Sequence, residues 1–245
     1  MTAPQRVLVA HQPAYLPWPG YFSRLLDVHE LVLLDHVQFS ERRWQHRNRV
    51  RSSGDGPPVR LTVPVRRRFG QTIRDVQVAD EPWAVRHWRT LQHAYGRAPY
   101  WAAHRDELAA LYARRWRRLA EVDEAFTRFL LDALGLPVRL VRSSELAPAG
   151  RSTAMLADLC ARTGARTLRV GTGALAYLDT GLLADHGIGV QISTYTHPAY
   201  GAGHRGWAPG LSVLDLLLME GPAAAEVLRA GARTETRVAA RGAAR

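Results

Sequence analysis

Residues 7–38 decide the fold: Val7-Leu8-Val9-Ala10 runs into His11-Gln12-Pro13, Tyr15-Leu16-Pro17-Trp18-Pro19-Gly20-Tyr21-Phe22 follows, and the stretch closes on Leu31-Val32-Leu33-Leu34-Asp35-His36-Val37-Gln38. The first apolar run is a short strand that ends in polar, titratable residues. Each proline after it lacks an N–H and biases its predecessor to extended backbone, which fixes an irregular loop. Residues 21–28 suit a short helix with Phe22, Leu25 and Leu26 inward. Leu31–Leu34 is continuously apolar, as in a strand covered on both faces. Strand, loop, helix and strand in that order predict the opening of a parallel α/β sheet. In such sheets ligands bind beyond the carboxyl ends of strands, which makes His11 and Asp35 the first candidates for chemistry.

The same rhythm resumes late in the chain, with strands predicted over 138–141, 167–170 and 188–194 and a helix from Ser152 or Thr153 through Arg162 that stops at Gly164. Two more helices are predicted over 212–220 and 222–229. Between the two α/β portions, residues 39–51 lack a clean period and read as an ordered surface loop or short helix. Leu61-Thr62-Val63-Pro64-Val65 reads as a strand pairing with 72–78 in an inserted β-hairpin. Residues 82–135 are helical, with apolar and aromatic side chains at helical spacing over 82–95, 105–119 and 121–134 and Gly135 as a stop. The expected fold class is α/β: a mostly parallel, Rossmann-like sheet flanked by helices, with an inserted β-hairpin and a helical middle segment. Residues 1–231 are expected to form one α/β domain, and the Arg/Ala/Gly tail over 232–245 to be disordered.

At 245 residues and 47% apolar content the chain can bury one substantial core. No run approaches the roughly 18 to 20 apolar residues of a membrane helix, and the N-terminus lacks a signal-peptide pattern, so no membrane association and a cytoplasmic location are expected. The single cysteine, Cys160, excludes an internal disulfide and sits in an apolar-periodic segment as a structural thiol. All 33 basic residues counted in the +11 net charge are arginine; without lysine, Schiff-base chemistry at lysine is excluded. Ten arginines stand against two acids between Glu41 and Arg74, a local balance of +8 that favours an anionic partner or substrate group.

Each sheet strand ends in polar or glycine-containing sequence: His11-Gln12, Asp35-His36, Ser143-Ser144, Gly171-Thr172-Gly173, and Tyr195 with His197. A parallel sheet would bring these ends to one edge. His11, whose ordinary pKa lies near neutrality, suits a general acid or base, and Asp35 would position a substrate amine. Arg47 and Arg49 would clamp an anionic group through bidentate hydrogen bonds, with Asn48, Gln38, Gln12, Tyr15, Gly171, Gly173, Tyr195 and His197 completing the binding set. His11, Asp35 and His197 could in principle form a two-histidine, one-carboxylate metal set, but no local ligand spacing supports it. No Walker A or G-x-S-x-G sequence is present. Neither metal nor cofactor is therefore expected.

His11 through Phe22, Leu34-Asp35-His36-Val37-Gln38-Phe39, Arg47-Asn48-Arg49, Leu61 through Val65, Tyr177-Leu178-Asp179, His197-Pro198-Ala199-Tyr200 and Leu211 through Leu216 together resemble the WbqC-like protein family over about residues 6–222. The resemblance implies a bacterial transferase associated with assembly of surface polysaccharide or specialised metabolites. Two departures stand out: His46 occupies a position where the family tends to have asparagine, and Ala202 one where glutamine commonly follows His-Pro-x-Tyr. The leading expectation is transfer of an acyl or aminoacyl group from an activated small-molecule donor to an amine of an amino sugar or small natural product. Binding of tRNA, or use of aminoacyl-tRNA as donor, is the first alternative, on the strength of the +8 window and Trp44. A non-catalytic partner of a biosynthetic complex is the second. The enzymatic expectation is geometric, since it asks that His11, Asp35, Arg49 and His197 face one cleft.

Overall fold

The computed structural model describes residues 6–41, 43–54, 56–201 and 206–237. Strand β1, Val7–His11, lies parallel to β2, Glu30–Leu33, with Leu8 opposite Glu30 and His11 opposite Leu33. The helix between them, α1, Pro19–Ser23, begins on a proline whose missing N–H would be unpaired there anyway.

The region after β2 departs from expectation. Arg47–Val50 is neither loop nor helix but strand β3, and it pairs antiparallel with β4, Val59–Thr62. The predicted strand over 61–65 is thus divided: Pro64, without an N–H to donate, ends one ladder. A second short ladder begins beyond it, where β5, Val65–Arg66, pairs with β6, Gln77–Val78. The rest of the expected partner strand is a single 3-10 turn over Ile73–Asp75.

The helical middle follows as α2, Trp83–Tyr95, α3, Trp101–Ala113, and α4, Leu119–Ala133. Glu121 accepts a hydrogen bond from the Arg118 N–H at 3.1 Å, fixing the start of α4. Strand β7, Arg139–Arg142, then pairs with β2, and the short helix α5, Ser143–Leu146, leads to α6, Ser152–Thr163. The chain continues through β8, Thr167–Gly171, α7, Thr180–Asp185, β9, Gly189–Tyr195, α8, Val213–Glu220, and α9, Ala224–Gly231. Residues 232–237, expected to be disordered, form β10, Ala232–Arg237, antiparallel to β9 along its whole length. Their side chains are mostly exposed, so the pairing satisfies backbone groups of an otherwise open sheet edge. Residues 238–245 of that tail, and Ala202, lie outside the described residues.

The six-stranded sheet runs in the order β10, β9, β8, β1, β2, β7, parallel except for β10. Strand alternation sorts its side chains into two layers. Val7, Val9, Leu31 and Leu33 join Phe22, Phe126, Leu214 and Leu228 in one; Leu8, Val32, Leu168 and Val190 join Leu156, Cys160 and Leu183 in the other. Cys160 is buried, which pushes its thiol up to about 12 and agrees with a structural role. Among the described residues no helix is long and apolar enough to cross a membrane.

Candidate functional site

From β1 the chain builds outward through β2 and β7, then crosses back to place β8 and β9 on the other side of β1. The junction of β1 and β8 is therefore a topological switch point, where crossovers diverge and leave a crevice at the carboxyl edge. A cleft of about 1160 Å³ opens there, lined by His11, Gly171 and Arg24 among others. That volume lies just above the usual range for small-molecule sites, about 300–1,000 Å³.

His11 is the last residue of β1 and packs edge-on against Tyr21, ring centroids 4.7 Å apart. Its Nδ1 lies 2.8 Å from the Gln12 carbonyl oxygen. A carbonyl only accepts, so Nδ1 carries the proton and Nε2 keeps a lone pair. Burial, then the nearby Arg24 guanidinium, pushes the His11 pKa down to about 4, against an upward pull from the Gln12 carbonyl. The imidazole is thus a neutral base at physiological pH. Gln12 is braced in turn: its Oε1 accepts from Gln45 Nε2 at 2.9 Å, and Gln45 Oε1 accepts from the Ser40 N–H at 2.8 Å.

His11, Gln12, Gln38, Gly171 and Gly173 line the cleft as expected; Asp35, Tyr15, Arg47, Asn48, Arg49, Tyr195 and His197 do not. Asp35 is only 3% exposed. Its Oδ1 accepts from Ser143 Oγ at 2.9 Å and from the Ser144 N–H at 2.8 Å, and its Oδ2 from Ser144 Oγ at 2.6 Å. The carboxylate is committed to the start of α5, where an anion is favoured by unpaired N–H groups, and is not presented to a substrate amine. Tyr15 is buried, its hydroxyl 2.6 Å from that of Tyr112. Asn48 Nδ2 donates to the carbonyls of Tyr15 and Leu16, at 3.3 and 2.6 Å, and so pins Leu16 at a positive φ of 44°. Arg47 lies on β3 opposite Thr62. Arg49 reaches Pro209 O at 3.4 Å and stands 6.0 Å over the Trp44 ring. Tyr195 and His197 cluster with Trp18, at centroid distances of 5.8 and 5.3 Å. His11, Asp35 and His197 accordingly do not converge as a metal set, and only His11 of the four residues expected to share one cleft lines it.

Sequence reasoning missed the residues that give the cleft its charge. Arg24, Arg43 and Arg151 line it, and no carboxylate does among the described residues. Arg24 is a lone cation in the apolar segment 21–26, and Arg151 stands between Gly150 and the start of a helix that follows a strand; both were legible signals. His36 also lines the cleft, its Nδ1 bonded to Ser143 Oγ. Ser143 spends its one proton on Asp35, so the His36 Nδ1 donates and its Nε2 has no partner among the described residues. Burial lowers the His36 pKa first, with Arg74 adding and Asp35 opposing.

Fold and cleft together define a doubly wound α/β protein with a cationic, histidine-containing crevice at its topological switch point. The chain belongs to the WbqC-like protein family, whose model matches residues 12–227. It is also similar to the uncharacterized protein Rv1507c of Mycobacterium tuberculosis, with 30% identity over 222 residues that cover 89% of this chain and 95% of that protein.

Proposed function

We propose that the protein is a transferase that moves an acyl or aminoacyl group from an activated, anionic donor to an amine of an amino sugar or small natural product in polysaccharide or specialised-metabolite biosynthesis. The observation that carries this reading is His11: a neutral imidazole with Nδ1 engaged, at the end of β1, in a cleft whose charged groups are cations. His11 Nε2 takes a proton from the amine nitrogen as that nitrogen bonds to the acyl carbon. The bond from acyl carbon to leaving group breaks, and the leaving group departs with the electron pair toward the arginines. The duty first given to Arg47 and Arg49 passes to Arg24, Arg43 and Arg151, and Asp35 becomes a positioning residue that sets Ser143 and, through it, His36. The test is turnover by mass spectrometry with a panel of acyl donors and amino-sugar acceptors; a wild-type rate in His11→Ala would remove His11 from the chemistry.

One observation favours a donor carried on RNA. The Val78 N–H donates to Arg117 O at 3.0 Å, and Gln77 bridges Arg118, so the exposed arginines of 114–118 join those of 66–74 on one surface. Filter binding of total tRNA decides this reading: contacts to several phosphates predict an affinity that falls steeply with salt, and absence of binding at low salt excludes it.

A further inference from the structure

Arg24, Arg43 and Arg151 line the cleft without an acidic partner among the described residues. Among the described residues none of their guanidinium groups forms an ion pair or a hydrogen bond to the protein, although Arg24 is partly buried and its Nε is shielded from solvent. The two buried arginines among the described residues are held: Arg51 meets Asp215 through two hydrogen bonds, and Arg169 donates to Gln191 and to two backbone carbonyls. Burying a cation without a partner costs free energy, and burial lowers the Arg24 pKa in keeping with that cost. A ligand anion would remove it.

The surroundings of Arg24 specify the anion. A Cβ on Gly171 would meet Arg24 Nη2 at 2.3 Å, so the glycine at the end of β8 is what seats the guanidinium against the strand terminus. Across the cleft, the Tyr177 segment is tied to the first turn of α6: Thr153 Oγ1 donates to Tyr177 O at 3.4 Å and accepts from the Asp179 N–H at 3.0 Å. That turn carries no side-chain cap and no acidic residue, so its N–H groups and positive dipole end are unspent. Its N-cap residue is Arg151, which lines the cleft. A single carboxylate is matched by one arginine, as Asp215 is. Two guanidiniums and a helix N-terminus match a group of higher charge.

We infer that Arg24, Arg151, Gly171 and the first turn of α6 form a subsite for the phosphate groups of the donor. The subsite rests on the transferase reading for its biological meaning but not for its detection. Two sources share the chemistry, a nucleotide and a phosphate ester without a base, and the exposed aromatic rim of Trp44 and Tyr177 offers a stacking face to the first.

The experiment is calorimetric titration of the full chain with sodium pyrophosphate and, separately, with ADP at low ionic strength. Both are expected to bind at one site, ADP more tightly if the rim stacks a base and equally if the source has none. Loss of a charge-assisted hydrogen bond should weaken pyrophosphate roughly ten-fold or more in Arg24→Gln and in Arg151→Gln. Gly171→Ala, which displaces Arg24 without removing its charge, should weaken it comparably, while the surface variant Arg117→Gln should not. Arg151 is exposed, so its variant tests the site even if the Arg24 variant folds poorly. No pyrophosphate binding by the wild type, or unchanged affinity in Arg151→Gln and Gly171→Ala, overturns the subsite. Binding is read without turnover, so a chain that holds pyrophosphate through Arg24 yet transfers no acyl group would retire the transferase reading alone. A His11-dependent transferase whose donor lacks phosphate would retire the subsite alone.

Discussion

Arg51 and Asp215, 164 residues apart, form a buried bidentate pair in which Nε donates to Oδ1 at 2.9 Å and Nη2 to Oδ2 at 3.1 Å. Tyr95 and Tyr200 donate to the same carboxylate at 2.9 and 2.8 Å, so the end of the β3–β4 hairpin is bolted to α8. Removing one partner strands a buried charge. Arg51→Ala and Asp215→Ala should each lose about 3–5 kcal/mol in urea denaturation, and the double variant should lose clearly less than the sum. Additive losses would show that the pair is not coupled.

Tyr15 belongs to the core and not to the cleft, and Tyr15→Phe tests that assignment. Its hydroxyl meets His87 Nδ1 at 2.9 Å as well as Tyr112. Loss of the hydroxyl takes a hydrogen-bond partner from both groups and should cost about 1–3 kcal/mol of stability. KM for either substrate should stay at its wild-type value, and a selective rise in KM would return Tyr15 to the site.

Asp123 is fully buried on α4, and among the described residues neither carboxylate oxygen has a hydrogen-bond partner. Burial holds its pKa well above the usual carboxylate range. With the folded pKa above the unfolded one, the native chain binds more protons than the unfolded chain above about pH 4, and this residue's contribution to stability falls as pH rises. Asp123→Asn should remove that loss. The difference in stability between variant and wild type should grow by up to about 1.4 kcal/mol per pH unit through the interval between the two pKa values. A difference that stays flat across pH would mean the carboxyl is ionised in the native chain.

The pH profile of transfer should carry the signature of His11. A histidine at its ordinary pKa loses base function below about 6.5. With the His11 pKa pushed down to about 4, kcat/KM should stay level through the mildly acidic range and reach half its maximum near pH 4. The same shift has a folding consequence of opposite sign to that of Asp123. His11 and His87, both held near 4, make the folded chain bind fewer protons than the unfolded one between about 4 and 6.5, so acidification through that window destabilises it. Stopped assays corrected for unfolding separate the two effects, and a midpoint near 6.5 in kcat/KM would take the role from His11.

Sequence determined what depends on local periodicity and strand alternation. The apolar runs of β1, β2, β8 and β9, the helices of 83–133 and the position of His11 at a strand end follow from patterns within a few residues. It missed β3 and β10, because neither has an apolar pattern of its own: Arg47–Val50 and Ala232–Arg237 are strands by virtue of partners that lie elsewhere in the chain. The site divides the same way. That strand ends carry the chemistry was legible, but whether a polar side chain faces a ligand or another part of the protein is decided by what packs against it. Asp35 meets Ser143 and Ser144 at the start of a helix more than a hundred residues away, and Asn48 meets the carbonyls of a strained turn. Arg24 becomes the least exposed of the cleft's arginines because Gly171 leaves room for it, and among the described residues no carboxylate pairs with it. Composition supplied 33 basic residues; only the tertiary structure decided which of them are left without a counter-charge around an open cavity.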